Sequence, residues 1–101
     1  MKLIKCLIAQ MHDEIEGVKE YSIMALEYRT SRPELARLYH TMAEQEYEHY
    51  NKLHEWAVRV KDEAESSGIN FPQKMLNKWE EEHRKCIEDI GEAKVYMDMY
   101  K

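Results

Sequence analysis

The stretch Tyr39-His40-Thr41-Met42-Ala43-Glu44-Gln45-Glu46-Tyr47-Glu48-His49-Tyr50-Asn51-Lys52-Leu53 carries two patterns at once. Tyr39, Met42 and Leu53 recur at helical spacing, the signature of one apolar face. Glu46 and His49 fall inside that face. Glu46 follows Met42 by four and precedes Leu53 by seven; His49 follows Met42 by seven and precedes Leu53 by four. At about 100° per residue, Glu44 and Glu48 point away. The stretch reads as a helix that turns a carboxylate and an imidazole toward its own oily side.

Working outward, three periodic segments emerge, about residues 2–28, 33–65 and 72–100, forming one all-α domain over residues 1–101. Pro33 suits the first turn of the second helix, with Glu34 to complement the helix dipole. Ser66, Ser67 and Gly68 end that helix and Pro72 opens the third. The apolar stripes are Leu3, Leu7, Met11, Val18, Tyr21 and Ala25, then Leu35, Leu38, Tyr39, Met42, Leu53, Trp56, Ala57 and Val60. The third is Met75, Leu76, Trp79, Cys86, Ile87, Ile90 and Met97. The short connection Arg29-Thr30-Ser31-Arg32 folds the first two helices into an antiparallel hairpin.

Composition agrees. Only 3 Gly and 2 Pro stand against 35% charged residues, which favours long helices over strands. A net charge of −5 without a basic cluster excludes a nucleic-acid footprint. The opening Leu3-Ile4-Lys5-Cys6-Leu7-Ile8-Ala9 is broken by Lys5, and no apolar run approaches a membrane span. Cys6 and Cys86 have no Cys-x-x-Cys spacing, which excludes a zinc ribbon and a rubredoxin-type iron site and gives no sign of a disulfide scaffold, and reduced thiols point to a cytoplasmic protein.

Glu14, on the first helix, also lies inside its stripe, three after Met11 and four before Val18, while Glu16 and Glu20 fall on the solvated side. Buried unpaired carboxylates are costly. A divalent cation offsets the charge of Glu14 and Glu46 and accepts His49 as a third donor. Glu-x-x-His places a carboxylate and an imidazole one turn apart for the same ion. A purely structural polar network of the three is the alternative. Glu80 and His83 repeat the spacing on the third helix and form a weaker candidate pair; a lone inward histidine is more often hydrogen-bonded core. His12, His40 and His54 lie off the centres of their stripes and are expected in solvent, as is the run Glu80-Glu81-Glu82.

The segment Ala43-Glu44-Gln45-Glu46-Tyr47-Glu48-His49 resembles the metal-binding segment of rubrerythrins and related ferritin-like proteins. Pro33-Glu34-Leu35 through Trp56 resembles the second helix of encapsulated ferritins. Glu14, Gly17, Tyr21 and Ala25 are similar to the Glu, small residue, Tyr, Ala pattern of the rubrerythrin first helix. The resemblance implies a ferritin-like bundle binding iron, as a di-iron centre, with manganese or zinc as other metals. It implies a terminal or chelating carboxylate at Glu14, a bridging carboxylate at Glu46, an imidazole ligand at His49, and for Tyr21 a role in packing or in supporting the ligands. The same three ligands would carry any catalysis.

The chain departs from four-helix relatives in holding one clear half-site, and Val95-Tyr96-Met97-Asp98-Met99-Tyr100-Lys101 does not resemble an encapsulin-targeting tail. A homodimer or higher homo-oligomer would complete both bundle and site, giving four carboxylates and two imidazoles. Ferroxidase, peroxidase and manganese-catalase chemistry share that ligand set, and the sequence does not choose among them. A helical assembly module with a structural metal or none is the reading of a different class.

Overall fold

A computed structural model describes residues 2–67 and 72–101. It contains three helices: α1 (Lys2–Tyr28), α2 (Pro33–Ser66) and α3 (Gln73–Met99). No strand occurs among the described residues, and no described helix is long and apolar enough to cross a membrane. The helix ends follow the expected punctuation. Pro33 opens α2 with Glu34 in its first turn, and the Arg32 backbone N–H donates to Tyr28 O at 2.9 Å, which tightens the α1–α2 turn. At the far end Ser67 N–H donates to Glu63 O and its hydroxyl to Ala64 O, occupying carbonyls that the helix leaves unpaired. Gly68 lies outside the described residues. Pro72 immediately precedes α3, and its carbonyl accepts from Met75 and Leu76.

Cross-helix pairs give the topology. His12–Glu82 and Lys19–Glu92 advance together, so α1 and α3 run parallel. His40–Tyr100, Lys94–Tyr47 and His54–His83 run in opposite senses, so α2 is antiparallel to α3. The body measures 57 × 17 × 17 Å, and the 34-residue α2, about 51 Å long at the helical rise, accounts for the long axis.

The packing seam is built on small residues. Ala36, Ala43, Tyr50, Ala57 and Ala64 of α2 are buried at seven-residue intervals, as are Trp79, Cys86 and Ala93 of α3. Ala43, Tyr50, Ala57, Trp79, Cys86 and Ala93 share one core cluster with Ile4, Met11, Ile15 and Val18 of α1. A heptad of alanines lets helix backbones approach closely and sets the shallow crossing of bundles. The expected stripes fall partly on this seam, with Met11, Val18, Ala25, Ala57, Val60, Trp79, Cys86 and Met97 buried, and partly outside it. Leu3, Leu38 and Trp56 are each 54% exposed and Ile87 51%. The reason is physical: reading stripes from the largest apolar side chains gives little weight to alanine, although close packing puts alanine at the centre.

The displacement is informative about α2. His40, Tyr47 and His54 point toward α3, whereas Met42, His49, Leu53 and Trp56, on the other side of the alanine line, point away from it. The hairpin therefore keeps a second, partly apolar face opposite α3, on which Leu38 and Trp56 are exposed and Leu53 is partly packed against the core.

Candidate metal centre

Glu14 projects from α1, and Glu46 and His49 from α2, onto that second face. His49 Nδ1 lies 3.6 Å from Glu14 Oε2 and 4.0 Å from Glu46 Oε1. One ligand atom from each residue falls within 4.8 Å of the others, the group of this kind found among the described residues. The helical pitch sets the Glu46–His49 spacing, and the tight α1–α2 turn sets the register that brings Glu14 opposite.

The carboxylates are mostly covered, with side-chain exposure of 23% at Glu14 and 28% at Glu46, while the His49 ring is 56% exposed. Desolvation pushes the Glu14 carboxyl up to about 7, with the neighbouring Glu46 carboxylate adding to the rise and His49 opposing it. Glu14 Oε2 is buried and has no hydrogen-bond partner when both acids are ionised. A proton on Glu14 could be shared with Glu46; a cation could replace that proton. The donor set, two carboxylates and one imidazole, suits iron, manganese or zinc and contains no thiolate. These residues fit a metal.

The family profile Rubrerythrin matches residues 5–101. The chain belongs to the rubrerythrin family. This places it in the ferritin-like superfamily, in which iron binding is common, and the match spans all three helices rather than the first two. Searches of curated proteins and of solved structures return no match.

The other histidines of this rubrerythrin-family chain lie outside that group; His83 takes the hydrogen-bonded role more usual for a lone inward histidine, and the placement of His12, His40 and His54 corrects the expectation of solvent. His83 meets His54 across the α2–α3 contact, Nε2 to Nε2 at 2.7 Å, and stacks on Trp79 with centroids 4.9 Å apart. Glu80 is exposed on the surface of α3, away from the Glu14–Glu46–His49 group. His12, His40 and His54 are half-buried between helices rather than solvated. His12 Nε2 is 3.1 Å from Glu82 Oε2, which draws Glu82 out of the solvated acidic run, and the His40 ring lies 4.4 Å from that of Tyr100. Periodicity within one helix locates a face; it carries no information about which helix flanks its edge.

The tyrosines pack. Tyr21 and Tyr28 both stack on Tyr39, with centroids 6.1 and 6.4 Å apart, and Lys94 Nζ lies over the Tyr47 ring at 5.6 Å. Tyr50 is buried, and desolvation pushes its hydroxyl up to about 12. The same cause pushes the buried Cys86 thiol up to about 11, so it stays a thiol and a poor nucleophile at neutral pH.

Proposed function

We propose that the chain supplies half of a carboxylate-bridged di-iron centre, completed by a second copy docked on the α1–α2 face opposite α3. One observation carries the reading: the buried Glu14 Oε2 lacks a hydrogen-bond partner and faces Glu46 and His49, three donors converging where charge is expensive. The apolar surroundings support the second copy, because Tyr21, Leu38, Met42, Leu53 and Trp56 occupy the same face as the ligands. A two-fold through it would bring together four carboxylates and two imidazoles, and would bury side chains that a small chain alone leaves in water.

In this arrangement Glu14 would hold the metal as a terminal ligand, Glu46 as the bridging carboxylate and His49 as the neutral imidazole. When bound, a pair of ferrous ions supplies two electrons at one place, the chemistry of ferroxidase and peroxide-reducing sites; manganese on the same donors would serve catalase chemistry. The covering apolar side chains exclude bulk water from the carboxylates. Glu14, whose carboxyl is pushed up to about 7, would give up the proton it shares at that pH when a metal binds.

Anaerobic Fe(II) titration with light scattering, followed by air, tests the proposal. The expected outcome is one iron per chain at a mass of twice 12.2 kDa or a multiple of it, then near-ultraviolet absorbance of a ferric product, both absent in Glu46→Ala. A monomer binding two irons per chain contradicts the shared centre. A stable assembly that takes up no iron favours a non-catalytic helical module.

A further inference from the structure

Gly17 sits in the interior of α1, one turn beyond Glu14, where glycine is the poorest helix former after proline. Something must favour it there. A Cβ placed on Gly17 would stand 2.8 Å from Glu46 Oε2, 3.1 Å from its Cγ and 3.2 Å from its Cδ. Only Oε2 stands closer than a real Cβ allows, and Cγ and Cδ would be in tight contact with it. Gly91, on α3, offers the contrast: a Cβ there meets nothing within 4 Å. The close approach at Gly17 belongs to its place opposite Glu46 and not to helical glycines of this chain in general.

We infer that Gly17 is a positioning residue for the metal centre: the notch left by its missing side chain seats the Glu46 carboxylate against α1, beside Glu14. The inference rests on the metal reading of Glu14, Glu46 and His49. A free glutamate on a helix surface has several rotatable bonds and spends its time in solvent. In the notch it is folded back across the hairpin, with Oε1 held 4.0 Å from His49 Nδ1. Preorganisation of this kind lowers the ordering cost of binding, because the ligand is already where the ion needs it. Alanine or serine at position 17 would push Oε2 out of the notch. Since Oε2 is the far end of a flexible side chain, Glu46 would shift away from Glu14 and the helices would stay packed.

The direction of two effects separates this role from ordinary packing. In the full-length protein, Gly17→Ala is expected to leave the melting temperature without metal unchanged or raised, because alanine is the better helix former. Its affinity for Co(II), used as a spectroscopic probe and measured by calorimetry, is expected to fall at least tenfold. Glu46→Asp, one methylene shorter, is expected to lose less affinity in the Gly17→Ala background than in the native one, since the shorter side chain clears the new Cβ.

A Gly17→Ala protein that melts lower yet binds Co(II) normally would make Gly17 a packing residue and overturn the inference. Normal melting with normal Co(II) affinity would overturn it equally. If the unaltered protein binds no Co(II), the metal reading itself falls, and the positioning role with it; failure of Gly17 alone requires binding by the unaltered protein.

Discussion

Glu14 Oε2 and His49 Nδ1 face each other at 3.6 Å across the α1–α2 seam, too far for a hydrogen bond and close enough for a common ligand. Neither helix alone creates this gap. It arises because the tight turn after Tyr28 fixes the register of the hairpin and the alanine line of α2 draws the two backbones together. The gap leaves a buried carboxylate oxygen without a partner when both acids are ionised, which costs stability, and an ion bound there would offset that cost.

Glu14→Gln should therefore separate stability from binding. Removing the charge relieves the mutual repulsion of Glu14 and Glu46, so metal-free melting is expected to rise or hold. Metal affinity is expected to fall by more than the roughly 10–100-fold that loss of a ligand's supporting partner costs. Paired calorimetric and melting measurements check both signs.

The pH dependence of the metal-free protein follows from the raised Glu14 carboxyl. Its folded-state value of about 7 lies above that of the unfolded chain, so the native state holds a proton the unfolded state has released. This contribution is fully present below the ordinary carboxylate value and is lost as pH rises through about 7. Melting curves should show that decline without metal, and Glu14→Gln should abolish it. Saturating Fe(II) or Co(II), kept anaerobic, should reverse the slope, because the ion prefers the ionised carboxylates.

His83 gives a second, opposite dependence through its contact with His54. Their Nε2 atoms are 2.7 Å apart while the ring centroids are 4.9 Å apart and the planes differ by 9°, so the rings meet edge to edge around one proton. Burial, followed by His54 and Lys61, holds His83 below the usual histidine range. The unfolded chain then binds the extra proton first, so this stabilisation is present above about pH 6.5 and is lost as pH falls. His83→Ala should lower the acid sensitivity and cost about 1–3 kcal/mol near neutrality, by leaving His54 unpaired and Trp79 without its stacking partner. Chemical denaturation from pH 5 to pH 8 reads both effects.

The alanine seam predicts intolerance to size. Ala43→Leu, at a fully buried position between Glu44 and Met42, is expected to destabilise by about 1–3 kcal/mol through overpacking. It should also disturb the centre, since Ala43 lies one turn before Glu46. Leu38→Ala, on the half-exposed outer edge of α2, should cost the single chain little and weaken self-association instead. Denaturation and sedimentation measure the two variants.

Much of this was legible in the residues. The three helices and their ends could be read from Pro33, Ser67 and Pro72, because such signals act locally. Glu14, Glu46 and His49 could be singled out because a charge inside an apolar stripe demands an explanation. The alanine seam was obscured by larger neighbours such as Leu38 and Trp56, whose place at the edge depends on how near the backbones come. The His54–His83 contact was hidden because the register of α2 against α3 is set by packing over the whole seam. Gly17 stood in the rubrerythrin-like pattern only as a small residue; its relation to Glu46 becomes visible once α1 and α2 are laid together.

The most direct measurement is diffraction at the iron absorption edge from crystals grown anaerobically with ferrous salt. The expected result is an anomalous peak within bonding distance of Glu14, Glu46 and His49, with the same three residues of a second copy across it. Those side chains bathed in solvent, with no peak between them, would contradict the metal centre.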